Sequence, residues 1–336
     1  MKPHLTFFCQ LETPVLQALF SVPDIAYLGE LNASVSLGIL DLSPERAEVV
    51  KRLNEAGVPV NAWLLLPKEQ GHWFSLENAD LAYDRYQDFL TWTEANGLQW
   101  ARIGLDIEPD VSFVEEFHRL SVNRSRILLK ILHQVFDRRR LTRARRVYRN
   151  LILRMKADGY KVDTYQFPFI VDERKSSSTL LQRAVGMVDL PVDREVLMTF
   201  SSFLRPYGPG FIWSYAQDGA SIGIGSTGGG VDLGVLETRP LTWKELSRDL
   251  RLAWVYTNDI HIFSLEGCVR QGYLAKLKDF EWDKPILDPE DMTTQVNAWR
   301  GALQSALWVS GHPLPILGGL AGILFVIWRL RKRKQS

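Results

Sequence analysis

Two carboxyl groups separated by a single residue, Asp106 and Glu108, stand near the end of the segment Arg102-Ile103-Gly104-Leu105-Asp106-Ile107-Glu108-Pro109-Asp110. On a strand, successive side chains alternate across the pleat. Arg102, Gly104, Asp106 and Glu108 therefore share one face, and Ile103, Leu105 and Ile107 form the other. Carboxyls this close are coupled: the charge on one raises the pKa of the other and leaves it able to donate a proton near neutral pH. A raised glutamic acid beside an ionised aspartate suits protonation of a glycosidic oxygen. The competing reading is a solvated strand end or an ion pair with Arg102. A divalent-metal reading of Asp106, Glu108, Glu266 and His72 lacks any H-x-H or HExxH spacing, so neither metal nor cofactor is expected. His72, His118 and His261 read as surface or internally satisfied histidines.

A strand with an apolar outer face, and a polar inner face ending in carboxylates, fits a (β/α)8 barrel, whose chemistry sits at the carboxyl ends of its strands. The sequence predicts seven companion strands, over residues 4–11, 34–40, 58–66, 161–167, 195–201, 220–224 and 260–265, the last ending in Glu266. Helices are expected at 15–20, from the Ser43-Pro44-Glu45 start to Gly57, over 79–95, and at 242–255 with a Thr242/Glu245 capping box. A long helical stretch over 112–158 reads as two helices broken near 122–125. Strand–helix alternation of this regularity argues a parallel sheet, and eight strands argue closure.

Taking the more polar phase of each strand as inward gives Gln10 and Glu12, Ser36, Asn61 and Trp63, Asp106 and Glu108, Thr164 and Gln166, Thr199 and Ser201, Ser264 and Glu266. From this set Asp106, Glu108 and Glu266 are the candidate catalytic residues. Gln10, Glu12, Asn61, Trp63, Gln166, Trp213 and Tyr215 are the candidate ligand-binding residues, the aromatics offering faces on which sugar rings stack. The Gly228-Gly229-Gly230 run has no following Lys-Ser/Thr and reads as a mobile rim loop.

A chain of 336 residues, 46% of them hydrophobic, is ample for one large barrel. Its formal net charge of +1 conceals an asymmetry. Residues 1–111 carry 7 Lys/Arg against 16 Asp/Glu, whereas 112–158 carry 13 against 4. Cys9 and Cys268 are too few for a disulfide framework or a metal knuckle.

Gly104-Leu105-Asp106-Ile107-Glu108 resembles the end of the strand-four D-x-x-D-x-D-x-E signature of the chitinase-like glycoside hydrolases of family 18. Ala101 and Gly104 stand where that motif has its earlier aspartates. The resemblance implies a glycoside hydrolase superfamily barrel, with Glu108 as general acid and Asp106 orienting the substrate. The D-x-E is also similar to that of the family 25 lysozyme-like enzymes, whose strand-one aspartate signature is absent here.

The basic stretch Arg138-Arg139-Arg140, Arg143, Arg145, Arg146 and Arg149 interleaves with apolar residues at helical spacing, as a solvated face or one meeting anionic phospholipid. Nothing in it suggests nucleic acid. Leu314 to Trp328 carries no charge, extends back to Leu307 for about 22 residues, and ends in Trp328-Arg329-Leu330-Arg331-Lys332-Arg333-Lys334. The expected organisation is a barrel over 1–289 with a basic helical insertion at 112–158, a linker at 290–306, a transmembrane helix at 307–328 and a basic tail at 329–336. The positive-inside rule would put the barrel outside the cell, yet the chain opens directly on a strand without a leader, so the side stays open. Two functions are compatible with this: a membrane-anchored glycoside-hydrolase-like protein, or a catalytically inactive barrel that binds carbohydrate or scaffolds at a membrane.

Overall fold

The structure, a computed structural model, describes residues 2–109, 133–230 and 239–312. Eight strands form its centre: β1 (His4–Cys9), β2 (Ser34–Ile39), β3 (Val60–Leu64), β4 (Arg102–Asp106), β5 (Val162–Gln166), β6 (Arg194–Met198), β7 (Ser221–Gly225) and β8 (Asp259–Phe263). Each pairs in parallel with the next, and β8 pairs with β1, closing the (β/α)8 barrel expected from the sequence. The outward phases, among them Phe7, Val35, Leu37, Ala62, Leu64, Ile103, Leu105, Ile222 and Ile262, are fully buried beneath the surrounding helices. Each such side chain contributes roughly 1.5–3 kcal/mol on removal from water. The helix Pro44–Glu55 starts on Ser43, whose hydroxyl accepts from the Arg46 amide, and the helix Trp243–Trp254 starts on a complete Thr242/Glu245 capping box.

At the amino-terminal end of the strands the interior is ionic. Arg102 Nε donates to Asp163 Oδ1 at 2.5 Å, and Arg194 bridges Asp163 at 2.5 Å and Asp259 at 3.1 Å. Arg102 is thus committed to Asp163, at the opposite end of the barrel from Glu108. The ion pair weighed above as an alternative for the two acids is therefore not formed with Arg102.

The inward phase follows the polar-side rule on β1 to β4 and departs from it on β5, β6 and β8. On β5 the interior receives Asp163 and Tyr165, while Thr164 and Gln166 face the helices, Gln166 donating to the Val188 carbonyl at 3.1 Å. On β6, Val196 and Met198 point inward; Thr199 donates to the Gly223 carbonyl at 3.0 Å and Ser201 bonds Asp249 on an outer helix. On β8 the strand ends at Phe263, Ile260 and Ile262 face outward, and Ser264 caps the helix Leu265–Arg270, which holds Glu266 in its first turn. The rule fails where the barrel interior is filled by aromatic and sulfur-containing side chains rather than polar ones.

Residues 290–306, expected as a linker, belong to the helix Glu290–Gly311, which packs on the barrel. Arg300, 7% exposed, holds it there: the guanidinium donates to Asp172 Oδ1 at 2.9 and 3.0 Å, to Asp218 at 2.7 Å and to the Ser214 carbonyl, and lies 3.9 Å above the Tyr215 ring. Gln304 adds a bond to Asp172 at 2.7 Å. Leu307, taken above as the start of a membrane span, is buried in this contact. Among the described residues no helix is long and apolar enough to cross a membrane; residues 313–336 of the expected span and tail lie outside them.

The helix Arg138–Ala157 buries Leu141, Ala144, Tyr148, Leu151, Ile152 and Met155. Arg140 pairs with Glu77 at 2.8 Å and Arg143 pairs with Asp80, so part of the basic face is matched by the acidic first third of the chain, while Arg139, Arg146 and Arg149 are exposed. The remainder of the expected helical insertion, 110–132, lies outside the described residues.

Candidate active site

The carboxyl ends of β1, β3, β4 and β8 gather the polar groups. Asp106 is the last residue of β4 and is 2% exposed; Glu108, two residues on, is half-buried. Their backbone is fixed by the loop after β3: the Phe74 amide donates to the Asp106 carbonyl at 3.1 Å, and the Glu108 amide donates to the Phe74 carbonyl at 2.9 Å. Phe74 and Ile107 thereby extend the parallel pairing beyond the barrel. The floor beneath is aromatic. Trp63 meets Phe8 edge-on at 5.3 Å and Tyr165 at 5.8 Å. The Tyr165 hydroxyl bonds Ser36 Oγ at 2.6 Å and fills the space a Cβ on Gly104 would need. This packing leaves no room for the aspartate that the chitinase-like motif carries at that position.

The two acids are coupled. Burial, the charge of Glu108 and a hydrogen bond with Glu108 raise Asp106 well above the usual carboxylate range, against a smaller opposing pull from the Trp63 indole. Burial pushes Glu108 up to about 7, while the bond from Asp106 works the other way. Near neutral pH Asp106 therefore holds the proton between them and Glu108 is poised to exchange its own. Desolvation plus a like-charge neighbour is the arrangement that sets an acid–base group near its working pH. Asp106 Oδ1 and the Trp63 indole N–H remain buried without a hydrogen-bond partner of normal geometry.

Across the mouth, Gln10 at the end of β1 bonds His72 Nε2 at 2.7 Å. His72 is 1% exposed and takes a left-handed backbone, φ 62°, in the same loop as Phe74. Burial, with Lys68 nearby, lowers it to about 4, so the ring is neutral at physiological pH. Glu266 is buried, and burial raises its pKa against opposing backbone N–H bonds. One of its oxygens accepts from the Gly230 amide at 2.7 Å; the other has no partner. Gly228, Gly229 and Gly230 all have φ near +90 to +107°, and a Cβ on Gly229 would overlap the Glu266 side chain. The glycine run therefore lets backbone settle directly on the carboxyl, and is a packed cover at this point.

The structure sets Asp106 beside Glu108 and places Gln10 and Glu266 at the same, carboxyl end of the barrel, Glu266 following the strand that lies four from that of Asp106. It separates the rest. Glu12 is exposed beside the helix Thr13–Leu19 and pairs with Lys68 at 3.4 Å. Asn61 lies level with Arg102, deep in the barrel, and Trp63 is floor, 4% exposed, with its faces against other rings. Gln166 faces outward, as above. Trp213 packs on Tyr256 at 5.1 Å, and the Tyr215 hydroxyl bonds Asp172 at 2.5 Å within the outer clamp; neither reaches the mouth. His72 stands alone in its element in the sequence, and its place in the loop after a barrel strand is the one signal there for its position at the mouth. Among the described residues no group of three or more His, Cys, Asp or Glu is placed to hold a metal ion.

No family model matches the chain, and no curated protein matches it. Among solved structures it is similar to the PgaB (BpsB) glycoside hydrolase domain from Bordetella bronchiseptica, with TM-score 0.49 and 10% identity over 85% of this chain and 100% of that one. It is also similar to a D-allulose 3-epimerase from Methylomonas sp., with TM-score 0.41 and 10% identity over 89% and 99%. A xylose isomerase-like TIM barrel protein from Mycobacterium smegmatis gives TM-score 0.40 and 14% identity over 80% and 89%. Similarity at this level does not say what the chain acts on; that has to come from its own residues.

Because the folded-state pKa of Glu108 lies above its unfolded value of about 4.5, the native protein holds a proton that the unfolded chain has released, and stability falls as pH rises from about 4.5 through about 7. Chemical unfolding of wild type and Glu108→Gln across this range should show the variant gaining on wild type by about 1–2 kcal/mol, a figure discounted for partial exposure. A constant difference across the window would mean that Glu108 ionises normally.

Proposed function

We propose that this barrel is a glycoside-hydrolase-like protein acting on a glycan, with Glu108 as general acid and Asp106 as its helper. The observation that carries this reading is the coupled pair at the carboxyl end of β4, with Glu108 near 7 and half-buried at the mouth. In the proposed step Glu108 gives its proton to the glycosidic oxygen as the bond to the anomeric carbon breaks. Asp106 donates to the carboxylate that results and so stabilises it. Glu266, following the strand four away, is the position for a second carboxylate, which when ionised either attacks the anomeric carbon, to be displaced later by water, or takes the proton of the water that attacks it. The match of Asp106 and Glu108 to the last two acids of the chitinase-like signature supports the assignment of roles.

A second reading, a catalytically silent barrel that binds carbohydrate or serves as a scaffold, draws on the deep burial of Asp106, Gln10 and Glu266, each 4% exposed or less. One experiment separates the two. Wild type should hydrolyse at least one member of a panel of glucan, chitin and peptidoglycan fragments. Glu108→Gln should lose at least about 100-fold in turnover, the usual scale for a general acid, while its melting temperature stays within a few degrees. Inactivity of the wild type on the whole panel would favour the silent barrel, and full activity of the variant would remove Glu108 as the acid.

We also propose attachment to a membrane through the uncharged run 313–328 and the basic residues after it. With Leu307 committed to the barrel, that run is 16 residues, short of the roughly 20 a straight helical span needs. Insertion would therefore require a thinned bilayer or release of the last turn of Glu290–Gly311. The full chain should stay with membranes in high salt and be released by detergent; release by salt alone would leave only the electrostatic contact of the arginine face.

A further inference from the structure

The mouth of the barrel has an apolar side that the acids do not use. Past the end of β5, Phe167 stacks on Phe169, ring centroids 5.3 Å apart and planes within 8°. Past the end of β6, Phe200 meets Phe203 at 6.2 Å, and across β7 it meets Phe263 at 5.7 Å. A Cβ on Gly223 of β7 would stand 3.4 Å from the Phe200 ring, an ordinary contact distance, and as glycine it presents only backbone there. Phe263 in turn is close to the glycine cover, 3.0 Å from where a Cβ on Gly230 would be. Phe167, Phe200 and Phe263 rest on the buried rings inside the barrel and are half-exposed above, while Phe203 is 43% exposed.

These five rings are hydrocarbon only. They offer no hydroxyl or N–H to a sugar's equatorial oxygens; Asp106, Glu108, Gln10 and His72 stand on β4, β1 and the loop after β3, while Glu266 follows the wall's Phe263 on the β8 side. A free glycan could lay a C–H face on these rings, but its hydroxyls would find no partners along the wall, at a cost for each group. The division of the mouth matches a ligand that is itself divided.

We propose that the mouth binds a neutral glycoside with an apolar aglycone, the sugar lying at Glu108 and the hydrocarbon part lying on the wall formed by Phe167, Phe169, Phe200, Phe203 and Phe263. This rests on the reading of the acids as a sugar site and adds the chemistry of the other end of the ligand. An alkyl and an aryl aglycone are both hydrocarbon, and the probes distinguish them.

The test is calorimetric binding to the full chain of methyl, hexyl and octyl β-glycosides of glucose and of N-acetylglucosamine, kept below their micelle concentrations, with phenyl glycosides alongside. Burying a methylene is worth up to about fourfold in affinity, so octyl should bind at least about tenfold more tightly than methyl for one of the two sugars. Tight phenyl but weak octyl binding would identify an aryl aglycone and would equally support the wall. Phe200→Ser and Phe203→Ser should abolish the octyl-over-methyl preference by weakening octyl binding more than methyl binding. Because Phe200 also packs on the interior, its variant is read only if its melting temperature holds, and the exposed Phe203 carries the test otherwise. Equal affinity across chain lengths, no binding of any probe, or a preference untouched by Phe203→Ser would overturn the proposal. Chain-length-dependent binding without hydrolysis would leave it standing while the glycosidase reading failed.

Discussion

Desolvation of two carboxyl groups on one strand is the constraint around which this barrel is arranged. Asp106 and Glu108 are forced to the same side by the two-residue period of a strand, and closure of eight strands takes them out of bulk water. Buried together they cannot both be charged at ordinary cost, so one proton is kept between them. The loop after β3 holds the geometry. Its Phe74 bonds the backbone on both sides of Ile107, and its His72 ties to Gln10 on β1. Neutral His72 adds no positive charge at the mouth, which would otherwise pull the pair's pKa values down.

Charge is instead concentrated at the other end. Asp163, fully buried, is paired by Arg102 from β4 and Arg194 from β6, and Arg194 also reaches Asp259 on β8. Removing either guanidinium would leave this buried carboxyl short of a partner, a loss of roughly 3–5 kcal/mol. One barrel thus holds two carboxyl environments: one paired with arginines at the amino-terminal end of the strands, and one with raised pKa values at the carboxyl end. The same device recurs outside, where Asp172 and Asp218 fix Arg300 and with it the helix Glu290–Gly311. That helix is part of the barrel's outer layer.

The barrel and the acid pair were legible in the sequence because both depend on local alternation. Ile103, Leu105 and Ile107 against Gly104, Asp106 and Glu108 need no knowledge of other strands. The inward phase of β5 and β6 was not legible. Tyr165 faces in because Ser36 and the bare Gly104 receive it, and Met198 and Phe200 face in beside β7, whose Gly223 presents only backbone there. Those partners come from other strands and are invisible within one segment. Likewise Trp213 and Tyr215 read as sugar platforms by type, but their positions are set by Tyr256, Asp172 and Arg300, the last 85 residues away or more. Residues 290–306 read as a linker because their docking depends on one arginine and its distant carboxylates rather than on a broad apolar stripe.

The central claim is that Asp106 and Glu108 share a buried proton near neutral pH, and the most direct measurement is an isotope-edited infrared titration of their carboxyl stretches. One protonated-carboxyl component should disappear with a midpoint of about 7 and be missing in Glu108→Gln. A second should persist to higher pH and be missing in Asp106→Asn. Loss of both components by about pH 5, in the ordinary carboxylate range, would contradict the account.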